Sequence, residues 1–163
     1  MTLKDRMHVA LVLAVLLAVK PALPAQEGSI IGWGDQVVGG DLDSGLVAVA
    51  AGGSHSLGLK ADGSIVAWGF NGLGLCDVPV PNTGFVAVAG GGGHSLGLKA
   101  DGSIVAWGAI GTVADHGQCN VPEPNSGFVA IAVGDMHSLG LKADGSIVTW
   151  AIALAGTDPP ALT

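Results

Sequence analysis

Apolar and polar positions follow the same order three times along the chain. Each full unit opens with an apolar run: GLVAVAAGG from Gly45, GFVAVAGGGG from Gly84 and GFVAIAVGD from Gly127. Two short apolar stretches follow, SLGLK and SIVAW (SIVTW in the third unit), joined by Ala-Asp-Gly. Asp-Gly between such stretches indicates a hairpin, because tight hairpin turns need the positive φ that glycine adopts freely. This pattern predicts at least three short antiparallel strands and no helix in each unit.

The units are close copies of one another. HSLGLKADGSIVAWG runs unchanged from His55 to Gly69 and from His94 to Gly108, and its first twelve residues recur from His137. A period near 40 residues is typical of propeller blades or solenoid turns. The period is marked by four tryptophans with spacings of 35, 39 and 43 residues: Trp33, Trp68, Trp107 and Trp150.

Both faces of each predicted sheet are apolar, as the run from Phe85 to Ala89 shows, so both must be covered. A propeller covers them by stacking blade on blade, with small residues where the inner strands crowd together. The glycines from Gly90 to Gly93 fit such a position. Beyond the tryptophans, CDVPVPNTG from Cys76 and CNVPEPNSG from Cys119 predict a brief fourth, outer strand, where proline is tolerated.

The pattern VAVAxGxxHSLGLKxDGSIVAWG, followed by GQCNVP in the second unit, resembles the repeats of the regulator-of-chromosome-condensation family in their short, secreted bacterial form. The resemblance implies a seven-bladed β-propeller used as a protein-binding platform, and propellers of this type include inhibitors of β-lactamase. Residues 26–150 supply only three and a fraction repeats, at about 28–44 (partial), 45–83, 84–126 and 127–150. We expect an all-β, partial propeller of about three blades with an irregular tail at 151–163.

Residues 1–25 have the pattern of a secretory signal peptide. Lys4 and Arg6 precede an apolar run from Val9 to Val19, with cleavage expected near Ala25. The run is too short for a membrane-spanning helix, which needs about twenty residues. We therefore expect a secreted chain, extracellular or periplasmic, without a membrane anchor.

Composition narrows the class of partner. The chain is 49% hydrophobic and 12% charged, which is typical of a folded protein and not of a disordered one. Its net charge is -7, and its six basic residues cannot supply the clustered Lys and Arg that nucleic-acid phosphates require. No nucleic-acid partner is expected.

One segment matches a catalytic motif. Gly93 to Gly97 reads GHSLG, the G-x-S-x-G of serine hydrolases, which functions at a sharp strand-to-helix turn. Here it begins a predicted hairpin, and the other units replace the first glycine with Ser54 and Met136. A hydrolase using Ser95 is the least favoured function, and we expect no enzyme activity.

The repeated histidines raise the question of a metal. His55, His94 and His137 are equivalent, and in a propeller three equivalent histidines could converge to bind zinc with one open position. The simpler interpretation is that their ring nitrogens bond neighbouring backbone groups within each blade. His116 lies in an unmatched insertion and is expected to be a solvated loop residue. We expect neither metal nor cofactor.

Cys76 and Cys119 form an even pair in a chain expected to be exported, which suggests a disulfide. As equivalent residues on adjacent blades they would lie about 10 Å apart, beyond the roughly 7 Å between α-carbons that a disulfide allows. Two small buried thiols are therefore predicted.

Repeated acidic and aromatic residues have structural interpretations. Asp62, Asp101 and Asp144 head the hairpin turns, and Asp41 and Asp43 lie in a glycine-rich connection, so all five are expected to serve turn geometry. The four tryptophans are expected to lie mostly in the core.

The leading hypothesis is a non-enzymatic, exported platform for an unidentified protein partner, and a fragment or degenerate copy of a larger propeller. Phe70–Leu75 and Ala109–Gln118 differ most between units, so specificity is expected there. One alternative is a structural or adhesive surface module of a larger chain. Self-association through open blade faces is a further expectation, because exposed apolar faces seek partners.

Overall fold

The computed structural model describes residues 45–151, which form three antiparallel sheets of three strands each. This confirms the all-β fold class and the three-strand unit. Residues 45–151 contain no helix, and so none there is long and apolar enough to cross a membrane. The strands are β1 (Leu46–Ala51), β2 (His55–Lys60) and β3 (Ile65–Gly69); β4 (Phe85–Gly90), β5 (Ser95–Lys99) and β6 (Ile104–Trp107); β7 (Phe128–Val133), β8 (Ser138–Lys142) and β9 (Ile147–Trp150).

The Asp-Gly turns form the predicted hairpins between the second and third strands. Gly63 has a φ of 79°, which only glycine adopts readily. One carboxylate oxygen of Asp62 accepts hydrogen bonds from the Ser64 backbone N–H (2.9 Å) and hydroxyl (2.6 Å). These two hydrogen bonds lower the pKa of Asp62. Asp101 and Asp144 make the same pair of bonds, so the prediction of turn chemistry is confirmed for all three.

Consecutive sheets pack face to face, and the core lies between them. The first strands contact one another in the order β1, β4, β7, and the second strand of one sheet contacts the first strand of the next. In the first interface, Leu57, Leu59 and Ile65 of one sheet pack against Phe85 and Trp107 of the next. The second interface repeats it with the equivalent residues Leu96, Leu98, Ile104, Phe128 and Trp150. The sheets are thus stacked as blades of a partial propeller.

The prediction of a fourth strand was wrong, because residues 70–84 and 108–127 form no strand. An asparagine side chain occupies the place of that strand. The amide of Asn82 donates to the Ile65 carbonyl and accepts from the Ile65 N–H, both at 2.7 Å. Asn125 pairs with Ile104 in the same way, at 2.8 Å for both bonds. One asparagine side chain therefore supplies both hydrogen bonds at the start of the outer strand, in a segment whose prolines have no N–H to donate.

Two of the four tryptophans are confirmed as core residues, because Trp107 and Trp150 are buried. Trp68 is only half-buried. The predicted signal peptide 1–25, the partial repeat 28–44 with Trp33, Asp41 and Asp43, and the tail beyond residue 151 lie outside the described residues.

Candidate functional site

The two kinds of variable connection lie at the same end of the sheets. Because the strands are antiparallel, the connection between the first and second strands and the segment after the third strand share one end. Phe70 N–H donates to the Ser54 carbonyl (2.8 Å), and Ala109 N–H donates to the Leu73 carbonyl (2.7 Å), which ties these segments together. We call this end the upper rim; it comprises residues 52–54, 70–77, 91–93, 109–118 and 134–136.

The upper rim exposes large apolar side chains. Phe70 and Ile110 follow the third strands of the first two sheets and are about half and two-thirds exposed. Val113 is fully exposed, and Met136 is half exposed on the connection before β8. Neighbouring exposed apolar side chains of this kind are typical of interaction sites.

The upper rim is acidic, whereas the lower end carries both the lysines and the aspartates of the hairpin turns. Asp77, Asp115 and Asp135 belong to the upper rim, and no lysine or arginine of residues 45–151 does. The lysines Lys60, Lys99 and Lys142 end the second strands, at the opposite, lower end. Lys99 Nζ donates to the carbonyls of Pro81 (3.3 Å) and Thr83 (2.7 Å) and lies 4.3 Å from the centre of the Phe85 ring.

A cleft of about 170 Å³ opens in the upper rim between the second and third sheets. Its walls include Leu73, Gly93, His116, Gln118 and Met136. His116 is a loop residue, as expected, but it is half-buried here and not fully solvated. Its N–H donates to Gln118 Oε1 (2.6 Å), and Gln118 Nε2 donates to the Ala114 carbonyl (2.7 Å), which holds the insertion in shape.

The repeated histidines connect one sheet to the next. His55 Nε2 lies 2.8 Å from Ser95 Oγ, and His94 Nε2 lies 2.8 Å from Ser138 Oγ. The expectation of bonds to the backbone of the same blade was therefore wrong. The Nδ1 atoms of His55 and His94 are buried without a hydrogen-bond partner. Burial lowers the pKa of His94 to about 4, an effect reinforced by His137 and His55 and opposed by Asp135.

Backbone carbonyls of the variable segments accept further hydrogen bonds at each interface between sheets. The Leu75 carbonyl accepts from Trp107 Nε1 (2.9 Å) and from Ser95 Oγ (3.3 Å). The Gln118 carbonyl accepts from Trp150 Nε1 and Ser138 Oγ, both at 2.9 Å. The roles of Leu75 and Gln118 could not be predicted from the sequence, because a backbone acceptor leaves no residue-type signal.

Ser95 lies inside this network. Its side chain is fully buried on strand β5, at the start of a hairpin as predicted. Its hydroxyl donates to the Leu75 carbonyl (3.3 Å) and lies 2.8 Å from His55 Nε2 on the neighbouring sheet. The geometry is that of an interface hydrogen bond.

The remaining candidate ligands do not converge. No group of three or more His, Cys, Asp or Glu that could hold a metal is present within residues 45–151. Cys76 and Cys119 are free thiols, as predicted, but each is half-buried where full burial was expected. Burial raises the pKa of the Cys119 thiol to about 11, with a smaller contribution from Asp115.

Comparison with known proteins agrees with this geometry. Residues 46–74 match the regulator of chromosome condensation (RCC1) repeat. A search of the curated proteins found no match. The solved structure of Prp20p from Saccharomyces cerevisiae, whose binding to Gsp1p and histones was studied, is 23% identical with a TM-score of 0.54 over 66% of this chain and 33% of that one.

Two plant receptor-kinase ectodomains are also similar. CR4 from Physcomitrella patens is 24% identical with a TM-score of 0.62, over 77% of this chain and 34% of that chain. The ACR4 ectodomain from Arabidopsis thaliana is 27% identical with a TM-score of 0.58, over 78% of this chain and 44% of that chain. This chain thus spans from 33% to 44% of the length of these three structures.

Proposed function

We propose that this chain, a repeat protein of the regulator-of-chromosome-condensation type, is a non-enzymatic platform that binds a protein through its upper rim. The observation that carries the proposal is that the upper rim combines exposed apolar side chains with carboxylates and contains no lysine or arginine of residues 45–151. At the lower end each lysine lies beside the aspartate of a hairpin turn, so basic and acidic groups are mixed there. The complementary partner presents basic groups beside an apolar anchor.

The repeat architecture supports a binding role. Residues that build the blades are nearly identical between units, whereas the segments after the third strands differ in length and sequence. Loops on a rigid scaffold are the usual carriers of recognition. Prp20p, which has the same fold, is a protein whose binding to Gsp1p and histones was studied.

The proposal also includes export of the chain and its origin as part of a larger propeller. The charged and apolar pattern of residues 1–25 supports secretion to an extracellular or periplasmic location. The three blades of residues 45–151, and a span below half of the similar structures, support a fragment or degenerate copy of a larger propeller.

A peptide selection tests the proposal. Random peptides displayed on phage are selected on the immobilised full chain, and the selected peptides are synthesised. We expect sequences that combine Lys or Arg with an aromatic or branched aliphatic residue and whose affinity falls with salt. Val113→Ser and Asp115→Asn should each weaken binding about tenfold, which corresponds to about 1.4 kcal/mol.

The chain provides a matched control at the lower end. Val80 is 91% exposed, beside Pro81, whose carbonyl accepts from Lys99. Val80→Ser removes an equally exposed apolar group and should leave binding unchanged. Peptides that bind Val113→Ser as tightly as the parent, or that depend on Val80, would refute the upper rim as the binding surface.

A further inference from the structure

The outer face of the third sheet is built like an interface but is exposed. In the first two sheets the isoleucine that begins the third strand is buried, with Ile65 and Ile104 both 3% exposed, whereas Ile147 is 55% exposed. Leu141 is 38% exposed, whereas its equivalents Leu59 and Leu98 are buried. We call His137, Leu141 and Ile147 the trailing face.

The first sheet presents the opposite half of the same interface. Its Val49 is 62% exposed, whereas the equivalent Val88 packs into the core between the first and second sheets. Ser56 is partly exposed, whereas the equivalents Ser95 and Ser138 are fully buried. We call Leu46, Val49, Ser56 and Trp68 the leading face.

The two internal interfaces show what covers such faces. Each joins a histidine to the serine of the next sheet, as in the bond between His55 and Ser95. Each also joins the carbonyl of the hairpin glycine to the first strand of the next sheet, through Phe85 N–H to Gly63 (3.0 Å) and Phe128 N–H to Gly102 (3.0 Å). The same interface therefore occurs twice with the same polar contacts, which fix its register.

The histidine, serine, glycine and apolar positions of the two internal interfaces recur on the trailing and leading faces, whereas the segment equivalent to those of Leu75 and Gln118 lies beyond residue 151, outside the described residues. His137 stands where His55 and His94 stand, and Ser56 stands where their serine partners stand. Gly145, equivalent to Gly63 and Gly102, has the same left-handed turn conformation but open space around it. Leu46 lies over Gly58 as Phe85 lies over Gly97, so a leucine replaces the aromatic ring.

We propose that the trailing face of one copy of this chain binds the leading face of a second copy. In this contact His137 Nε2 hydrogen-bonds to Ser56 Oγ of the second copy, and Ile147 packs against the second copy's Leu46 and Val49. Two chains that make this contact reciprocally form a closed dimer to which residues 45–151 of each copy contribute three blades, and the resulting six are within the range of known propellers. The proposal goes beyond the proposed function, because the upper rim takes no part in the contact.

Light scattering on the full chain tests the contact. We expect a mass of twice 16.0 kDa for the parent chain. Ile147→Lys places a charge on the trailing face, and Val49→Lys places one on the leading face. Both side chains are exposed, so each variant should fold, with the β-rich circular dichroism of the parent, and remain a monomer. Ile110→Lys, at an equally exposed position of the upper rim, should remain a dimer.

Mixing the two variants makes the test specific. Each variant retains the face that the other has lost, so an equimolar mixture should form a heterodimer through one intact contact. A mixture that stays monomeric, a parent chain that is monomeric at all concentrations, or an Ile147→Lys variant that still dimerises would overturn the proposal. Peptide binding at the upper rim should be unchanged in Ile147→Lys, so failure of the contact and failure of the proposed function are distinguishable.

Discussion

At the scale of single residues, a glycine three positions before each histidine determines where the imidazole ring lies. A Cβ at Gly91 would lie 2.6 Å from His94 Cε1 and 2.8 Å from the carbonyl oxygen of Gly134 on the next sheet. The same crowding surrounds Gly52, beside His55 and the Gly91 carbonyl. The glycine thus lets the ring and the neighbouring sheet approach together, which brings His94 within hydrogen-bond distance of Ser138.

Gly91→Ala should lower the free energy of unfolding by about 1–3 kcal/mol, because the added methyl group overpacks the interface between the second and third sheets. Gly93→Ala is the matched control in the same glycine run, since its Cβ would meet nothing closer than 3.8 Å. Urea unfolding followed by tryptophan fluorescence measures both. Equal stability of the two variants would show that the crowding at Gly91 is relieved at no cost.

His94 makes stability depend on pH. Burial lowers its pKa from 6.5 to about 4 in the folded chain, with His55 and His137 adding to the effect and Asp135 opposing it. The unfolded chain therefore binds a proton near pH 6.5 that the folded chain does not bind until about pH 4. Stability should be full above pH 6.5 and fall by about 2 kcal/mol as pH drops to about 4, after allowance for solvent screening.

Denaturant unfolding from pH 7 to pH 4.5 measures this loss. His94→Gln retains an amide that can bond to Ser138 but does not titrate, so its stability should fall less steeply than that of the parent. The slope that remains is assigned to His55, whose pKa burial also lowers. Parallel curves for the parent and His94→Gln would contradict the assignment to His94.

At the scale of the element, an asparagine amide replaces a strand at the outer edge of each of the first two sheets. Asn82 satisfies both the N–H and the carbonyl of Ile65, and Asn125 does so for Ile104. These pairs begin β3 and β6, where the isoleucine enters the interface with the next sheet. The amide therefore fixes both the strand edge and a core residue.

Asn82→Ala should destabilise the chain by about 1–3 kcal/mol, because it leaves two partly buried backbone groups of Ile65 without partners. Asn82→Asp retains the acceptor and loses the donor, so its effect should be smaller than that of alanine. Asn120→Ala, at an exposed position, serves as the control and should change stability by less than about 0.5 kcal/mol. Thermal unfolding ranks the stability of the three variants. An Asn82→Ala variant as stable as the control would show that the amide does not stabilise the strand edge.

These elements show what the sequence could and could not predict. The hairpins followed from the Asp-Gly turns and the apolar runs, because turn geometry and side-chain pattern are local. The edge amide could not be predicted, because Asn82 acts 17 residues from its partner, and the sequence of its segment resembles a proline-limited strand. His55 was misjudged for the same reason, since its serine lies 40 residues away.

The candidate site was predicted only in outline. The variable segments after Gly69 and Gly108 were identified because they differ between repeated units. That these segments lie at the end of the sheets opposite Lys60, Lys99 and Lys142 could be known only once the strand directions were known. The cleft beside Gln118 depends on side-chain and backbone bonds within the insertion, which residue types alone do not specify.

At the scale of the whole molecule, the middle sheet differs from the others in having an interface on each side. Leu57 and Ile65 of the first sheet cover one of its faces, and Phe128 and Trp150 of the third sheet cover the other. In a stack of repeats, stability is the sum of each unit and its contacts with its neighbours. The middle sheet should therefore open least often, and the outer sheets should open more often in a monomer.

Amide hydrogen exchange measures this order. In Ile147→Lys, which isolates one chain, protection should be greatest in β5, around Leu96 and Leu98, and lower in β2 and β8. In the parent chain the contact between copies adds a neighbour to both outer sheets, so protection of β2 and β8 should rise with protein concentration while β5 changes little. Uniform protection across the nine strands of the monomeric variant would instead mean that the three blades unfold as one unit, with stability shared equally among them.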